Sequence, residues 1–176
     1  MIFPDNYIKE KLAACIVPFE DRNVQPASYD LRLSGEFIKF EEGYIVDPYN
    51  PKTYPRHHRK RQKSYIIHPD EFILASTIED ITLPVNIAGM VSGRSSWGRL
   101  GIEVHQTAGW IDPGFSGTIT LEIKNNSPND VKLTEGDRIA QIIFMGLMHD
   151  VDTPYSGKYS RQSCPELSKL HEDGLL

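Results

Sequence analysis

The stretch Asp112-Pro113-Gly114-Phe115-Ser116-Gly117 runs straight into Thr118-Ile119-Thr120-Leu121-Glu122-Ile123. The first half is a turn sequence, because proline presets one backbone angle and glycine enters conformations closed to other residues. The second half alternates. As a strand it sets Ile119, Leu121 and Ile123 on one face and Thr118, Thr120 and Glu122 on the other. The same punctuation recurs on both sides. Residues 29–33, 36–40, 65–68 and 71–76 read as short strands, and so do 102–105 and 138–144. Ser34-Gly35, His68-Pro69-Asp70, Asn126-Ser127-Pro128-Asn129-Asp130 and Glu135-Gly136-Asp137 mark turns between them. Many short strands with frequent turns predict a mainly β chain, folded as a sandwich, jelly roll or barrel. Helical spacing shows only near the start. Residues 5–14 predict one short N-terminal helix, with Asp5 as its cap and Ile8 and Leu12 one turn apart.

The chain has 176 residues, enough for one domain with a buried core. A single domain over residues 1–176 is expected, with a C-terminal arm at about 149–176. A net charge of −5 offers no global positive field to nucleic acid. No apolar run reaches membrane-spanning length, and the first residues lack the basic-then-apolar layout of a signal peptide. A soluble cytoplasmic protein is the expectation, without nucleic acid or membrane as partner. Cys15 and Cys164 stand in no C-x-x-C pair, so they read as isolated thiols rather than a disulfide or a zinc site.

Two segments depart from the alternating pattern. Residues 51–63 hold Lys52, Arg56, His57, His58, Arg59, Lys60, Arg61 and Lys63 with hardly an apolar residue. They predict a solvated loop between strands, either a surface excursion or a basic flap drawn to an anionic ligand. Metal ligation by His57 and His58 is a third reading, weakened by the absence of further ligands beside them. From His149 the chain turns polar, and residues 153–162 mix aromatic, basic and amide groups. Such a segment is either an arm that orders over a ligand or another subunit, or a frayed tail.

Gly93-Arg94-Ser95-Ser96-Trp97-Gly98-Arg99-Leu100-Gly101 puts two arginines and two serines among glycines. Guanidinium groups, hydroxyls and open backbone amides together suit phosphate, although a tight turn with surface arginines has the same composition. It is not a P-loop, since no G-x-x-x-x-G-K-[ST] occurs. Glu122 lies on the polar face of its strand and points either to water or into a cleft. In a cleft, burial would raise its pKa and a nearby arginine would lower it, poising it to move a proton. Asp112 either bonds its own turn or accepts from a sugar hydroxyl. Trp110 and Phe115 flank that turn as core aromatics or as a base-stacking platform.

These residues resemble the central motifs of the dCTP deaminases, within the superfamily of trimeric dUTPases. The likeness covers Gly93 to Gly101, His105-Gln106-Thr107-Ala108-Gly109-Trp110-Ile111-Asp112-Pro113-Gly114-Phe115-Ser116-Gly117 and Thr120-Leu121-Glu122. It extends to Gln25-Pro26-Ala27-Ser28-Tyr29-Asp30-Leu31-Arg32-Leu33, Gly136-Asp137-Arg138-Ile139-Ala140-Gln141 and Lys158-Tyr159-Ser160-Arg161-Gln162. The resemblance implies a distorted β jelly roll, a homotrimer with active sites at subunit interfaces, and deamination of dCTP without zinc. The H-x-E and P-C-x-x-C elements of zinc deaminases are indeed missing from the sequence.

Carried over by position, Glu122 resembles the family's proton shuttle, Arg99 and Ser95 orient the water, and the Ala108 carbonyl positions base and water. Arg94, Ser95 and Ser96 hold phosphates, with Trp97 and Gly98 in the same substrate-binding turn. Asp112 takes the 3′-hydroxyl, and Thr120 and Leu121 reach the sugar or base edge by backbone. Gln141, Tyr155, Lys158 and Gln162 close over the triphosphate, which carries Mg²⁺. The short link between Tyr155 and Lys158 departs from several relatives, and the basic insert at 51–63 matches no family motif.

Two products occur in the family. Members that stop at dUTP tend to have histidine after the alanine of the Thr-Ala pair, while dUMP-forming members have glycine and then an aromatic or similar residue. Gly109-Trp110 fits the second type, and glycine there is expected to leave space for a second water. The competing readings are a dUTP-forming deaminase, a plain dUTPase and a non-catalytic nucleotide-binding trimer. The lack of a glycine-rich, phenylalanine-containing arm counts against the dUTPase. Feedback by dTTP is a further expectation from the family.

Overall fold

The computed structural model describes residues 1–174. Leu175 and Leu176, the end of the expected arm and domain, lie outside the described residues. The strands are β1 (Ile16–Val17), β2 (Val24–Gln25), β3 (Ser28–Phe40), β4 (His57–Arg61), β5 (Ser64–Ile67) and β6 (Phe72–Thr82). They continue with β7 (Ile87–Gly93), β8 (Ile102–Glu103), β9 (Trp110–Ile111), β10 (Ser116–Asn125), β11 (Val131–Thr134) and β12 (Arg138–Gly146). The main sheet runs in the order β8-β10-β6-β3-β12-β7-β9, with β1 on β6 and β2 and β4 on β3. β5 and β11 form a separate antiparallel pair.

The long strand β3 explains the curl. Its first part, Tyr29 to Arg32, pairs with β12, and its second part, Leu33 to Lys39, pairs with β6. Between Leu33 and Phe37 the register against β6 shifts. Ser34-Gly35 therefore is not the turn between two strands that the sequence predicts. It is a bulge inside one strand, where the sheet bends into the half-barrel of a distorted jelly roll. The bend encloses Tyr29, Leu31, Leu33 and Phe37 of β3 with Leu121 and Ile123 of β10 and Ile142 and Phe144 of β12, all fully buried. Truncating any of these large side chains to alanine would cost roughly 2–5 kcal/mol.

At the start, Asp5–Tyr7 is α-helical and the coil continues as a π-helical turn through Ile8–Leu12. Ile8 and Leu12 are buried as predicted. Asp5 is the first helical residue rather than the cap, and Pro4 precedes it without a side-chain cap. Among the described residues no helix is long and apolar enough to cross a membrane.

The segment expected as a solvated loop is partly a strand. β4, His-His-Arg-Lys-Arg, pairs antiparallel with residues Glu36 to Phe40 of β3. Every one of its side chains is exposed, so no apolar alternation betrays it. Backbone pairing and cross-strand charge hold it instead: Arg61 Nη1 lies 3.1 Å from Glu36, and His58 Nε2 lies 3.2 Å from Glu41. Neighbouring residues of a strand point to opposite faces, so His57 and His58 do not converge on one ion.

β7 and β11 were not legible either. β7 carries two glycines, and β11 is four residues set between turns.

Candidate active site

β10 buries Leu121 and Ile123, in register with Ala75 and Ile73 of β6. The other face of β10 carries Thr120 and Glu122 into a cavity of about 590 Å³, a volume typical of small-molecule sites. Phe40, Phe72 and Leu74 give it apolar lining, and His105 and Ala108 come from the loop between β8 and β9. Trp110 and Asp112 add the next turn, and Tyr155, Gln162 and Glu166 come from the C-terminal arm.

Of the two sequence readings for Glu122, the cleft is the one observed. Its side chain is 33% exposed, and its Oε2 lies 3.9 Å from Nδ1 of His105. That separation is too long for a hydrogen bond, so neither group is committed to the other. His105 is nearly buried, and its Nδ1 has no hydrogen-bond partner. Buried polar atoms are normally partnered, so this nitrogen beside the cavity carboxylate is an exception. Trp110 Nε1 donates to Asp112 Oδ1 at 2.8 Å. Phe115 joins the core, whereas the Trp110 ring is 51% exposed.

Gly109 has a steric role. A Cβ there would stand 2.4 Å from the Val91 carbonyl oxygen, and the Val91 N–H donates to the Gly109 carbonyl at 2.7 Å. The expected room for a second water is filled on that side by the β7 backbone. Glycine is needed for the loop to lie against β7.

The polar tail is an ordered arm. It runs parallel to β10, with Thr118 N–H donating to the Gln162 carbonyl at 2.9 Å and Gln162 Nε2 donating back to the Thr118 carbonyl at 2.6 Å. Gly117, at φ 137°, permits this approach, since a Cβ would meet the Gln162 carbonyl oxygen at 2.7 Å. Farther on, the Glu166 N–H donates to Thr120 Oγ1 at 3.1 Å. Lys158 is turned to the arm's own end, donating to Asp173 at 2.7 Å and the Lys169 carbonyl at 2.9 Å.

The phosphate-type turn is elsewhere. Ser95–Gly98 forms a one-turn helix, and none of Arg94 to Arg99 lines the cavity. Arg94 Nε lies 3.1 Å from Asp30 Oδ1, and Arg138 Nη1 lies 3.3 Å from Asp30 Oδ2. Burial pushes the Asp30 carboxyl above its ordinary pKa, against the pull of Arg94 and Arg138. Trp97 Nε1 donates to the Arg138 carbonyl at 2.9 Å. Gln141 accepts from Ser28 Oγ at 3.0 Å and donates to the Gly93 carbonyl at 3.2 Å. Ser95, Ser96, Gly98 and Arg99 are exposed. Leu121 is buried in the core, so only its backbone is available to a ligand.

The sequence profile of dCTP deaminase-like proteins matches residues 2–147. The chain belongs to the dCTP deaminase-like family. A relative from Methanosphaera stadtmanae, named "dCTP deaminase, dUMP-forming", is 42% identical over 165 residues, covering 87% of this chain and 83% of that protein. Another of the same name from Dictyoglomus turgidum is 42% identical over 187 residues, covering 98% and 96%. The crystal structure of 2′-deoxycytidine 5′-triphosphate deaminase from Agrobacterium tumefaciens superposes with a TM-score of 0.64 at 22% identity. It covers 81% of this chain and 47% of that one, and shows the shared fold.

Within this dCTP deaminase-like chain, the structure brings Glu122, Ala108, Thr120, Asp112, Trp110, Tyr155 and Gln162 together. It leaves Arg94 to Arg99, Gln141 and Lys158 outside that cavity. His105, Tyr159 and Glu166 line it without having been singled out. His105 stood inside a quoted motif, and its unpaired nitrogen becomes visible only in three dimensions. Among the described residues no group of three or more His, Cys, Asp or Glu is placed to hold a metal ion.

Proposed function

We propose that this protein is a hydrolase that deaminates dCTP and cleaves the triphosphate, giving dUMP, ammonia and pyrophosphate. The observation that carries the reading is Glu122, set in a cavity wall with no lysine or arginine paired to it among the described residues. An uncommitted carboxylate in a partly dry cavity can take a proton from water and return it. In this scheme water attacks C4 of cytosine, Glu122 accepts its proton, and the same group protonates the departing ammonia. The Ala108 carbonyl orients base and water, Asp112 takes the 3′-hydroxyl, and Thr120 and Leu121 contribute backbone contacts. Zinc has no part in it. The relatives' names support the chemistry and favour dUMP as the end product.

Arg94, Ser95, Ser96 and Arg99, with Trp97 and Gly98 in the same turn, bind the triphosphate in this reading, and Arg99 and Ser95 steady developing charge. They do not meet Glu122 within one chain. We therefore assign the working enzyme as a homotrimer in which one protomer's turn completes the neighbour's cavity. Gln141, Tyr155, Lys158 and Gln162 hold the phosphates as the arm closes. Magnesium arrives on the triphosphate as part of the substrate. Residues 1–176 act as one nucleotide-binding domain in the cytoplasm, with dTTP as feedback inhibitor.

The deciding experiment is incubation with dCTP and Mg²⁺, followed by chromatography and ammonia assay. Ammonia with dUMP and pyrophosphate supports the proposal. Ammonia with dUTP alone leaves a deaminase that stops early, and turnover of dUTP but not dCTP leaves a dUTPase. Binding without turnover removes the enzymatic reading.

A further inference from the structure

The basic hairpin that no nucleotide motif explains touches the arm. On β4, residues alternate between faces. His57, Arg59 and Arg61 stand opposite Phe40, Ile38 and Glu36 of β3, and His58 and Lys60 stand opposite Lys39 and Phe37. Phe40 belongs to the cavity, so the face of β4 that bears Arg59 borders it. From that face Arg59 Nη2 donates to the Pro165 carbonyl at 2.9 Å. Pro165 is buried, and the residues after it, Glu166 and Leu167, line the cavity. The next link is the Glu166 N–H donating to Thr120 Oγ1, two residues along β10 from Glu122. A second contact supports the first, with the His171 ring edge-on to Tyr54 at 5.8 Å between centroids.

We infer that Arg59 is a positioning residue. Its guanidinium pins the Pro165 carbonyl, and so fixes Glu166 and Leu167 as the outer wall of the Glu122 cavity before nucleotide arrives. Proline makes the anchor effective, since its fixed φ limits how far the chain can swing around the pinned carbonyl. Arg59 also lies 4.0 Å from Glu36, which steadies the guanidinium against the neighbouring strand β3. The hairpin is thereby a clamp on the arm, and its positive charge is spent partly on a carbonyl rather than on a free anion. This inference rests on the dCTP reading for its kinetic effect but not for its structural one.

The test compares Arg59→Ala and Arg59→Lys with Lys60→Ala, which removes the same charge from the opposite face of β4. Loss of one charge-assisted hydrogen bond at a half-exposed site should raise KM for dCTP about three- to tenfold in Arg59→Ala. A preorganised wall contributes to binding before and during reaction, so kcat should change less than KM. Cleavage of the arm by chymotrypsin, at Tyr155, Tyr159 or Leu167, should accelerate in Arg59→Ala. Arg59→Lys, which keeps a donor, should recover part of both effects, and Lys60→Ala should match the unsubstituted protein. Unchanged KM and unchanged cleavage in Arg59→Ala would overturn the inference, and so would equal effects from Lys60→Ala. If the unsubstituted protein releases no ammonia from dCTP, the functional proposal fails, while the cleavage comparison still decides whether Arg59 clamps the arm.

Discussion

The Glu122 cavity and the Arg94–Arg99 turn are built in opposite ways. The cavity is lined by distant parts of one chain: β10 forms the wall, the 105–112 loop an edge, and the arm the outer side. Among the described residues, its key carboxylate pairs with no lysine or arginine. The turn is the reverse. Arg94 is already tied to buried Asp30, while Ser95, Ser96 and Arg99 face outward with nothing over them. Among the described residues, one region is a pocket with no lysine or arginine in its lining, and the other gathers arginines and hydroxyls outside it. The proposed pairing of the two across a subunit boundary rests on that complementarity.

The largest effect should come from Glu122→Gln. Removing the proton acceptor should lower deamination by about 10²–10⁴-fold while nucleotide binding persists. Retained ammonia release would remove Glu122 from its role. A sharper test of the comparison mixes protomers. Glu122→Gln and Arg99→Ala should each be nearly inactive alone. A 1:1 mixture of the two, randomly reassembled, should regain about a quarter of the sites, those pairing an intact cavity with an intact neighbouring turn. No recovery in trimers shown to be mixed would place both groups in one protomer's site.

Gly109→Ala should act on the cavity through backbone. Its Cβ collides with the Val91 carbonyl, so the expected loss is about 1–3 kcal/mol of stability, read from thermal unfolding. An unchanged Tm would mean that the loop has room the structure does not show. The smallest effect belongs to a carboxylate that neighbours cavity-lining Phe72 but does not itself line the cavity. Glu71 is partly buried, which raises its pKa, but Lys39, Tyr65 and the His68 N–H bond its carboxylate and hold the net value below normal. Its stabilisation is therefore full above the ordinary carboxylate pKa and is lost as pH falls through the lowered value. Glu71→Gln should flatten that acid limb of stability and leave activity at neutral pH unchanged. An identical acid limb in the variant would show that Glu71 does not contribute to it.

The alternation of residues 118–123 determined β10, its buried face and the face bearing Glu122, because side-chain direction along a strand has period two. The glycine, arginine and serine spacing marked the turn, and motif likeness singled out Ala108, Trp110, Asp112, Thr120, Glu122, Tyr155 and Gln162 of the cavity lining. Local pattern could not show β4, since an edge strand with both faces in water needs no apolar residue. It also could not show that Ser34-Gly35 bends one strand instead of ending it, since turn and bulge draw on the same residues. Only the tertiary structure decided which faces meet. Glu122 faces a cavity because the arm packs alongside its strand and the 105–112 loop lies across from it, and the Arg94–Arg99 turn stays apart, with Arg94 tied to Asp30 of β3. Those outcomes depend on contacts between segments far apart in the chain, where packing and charge pairing act and sequence spacing does not.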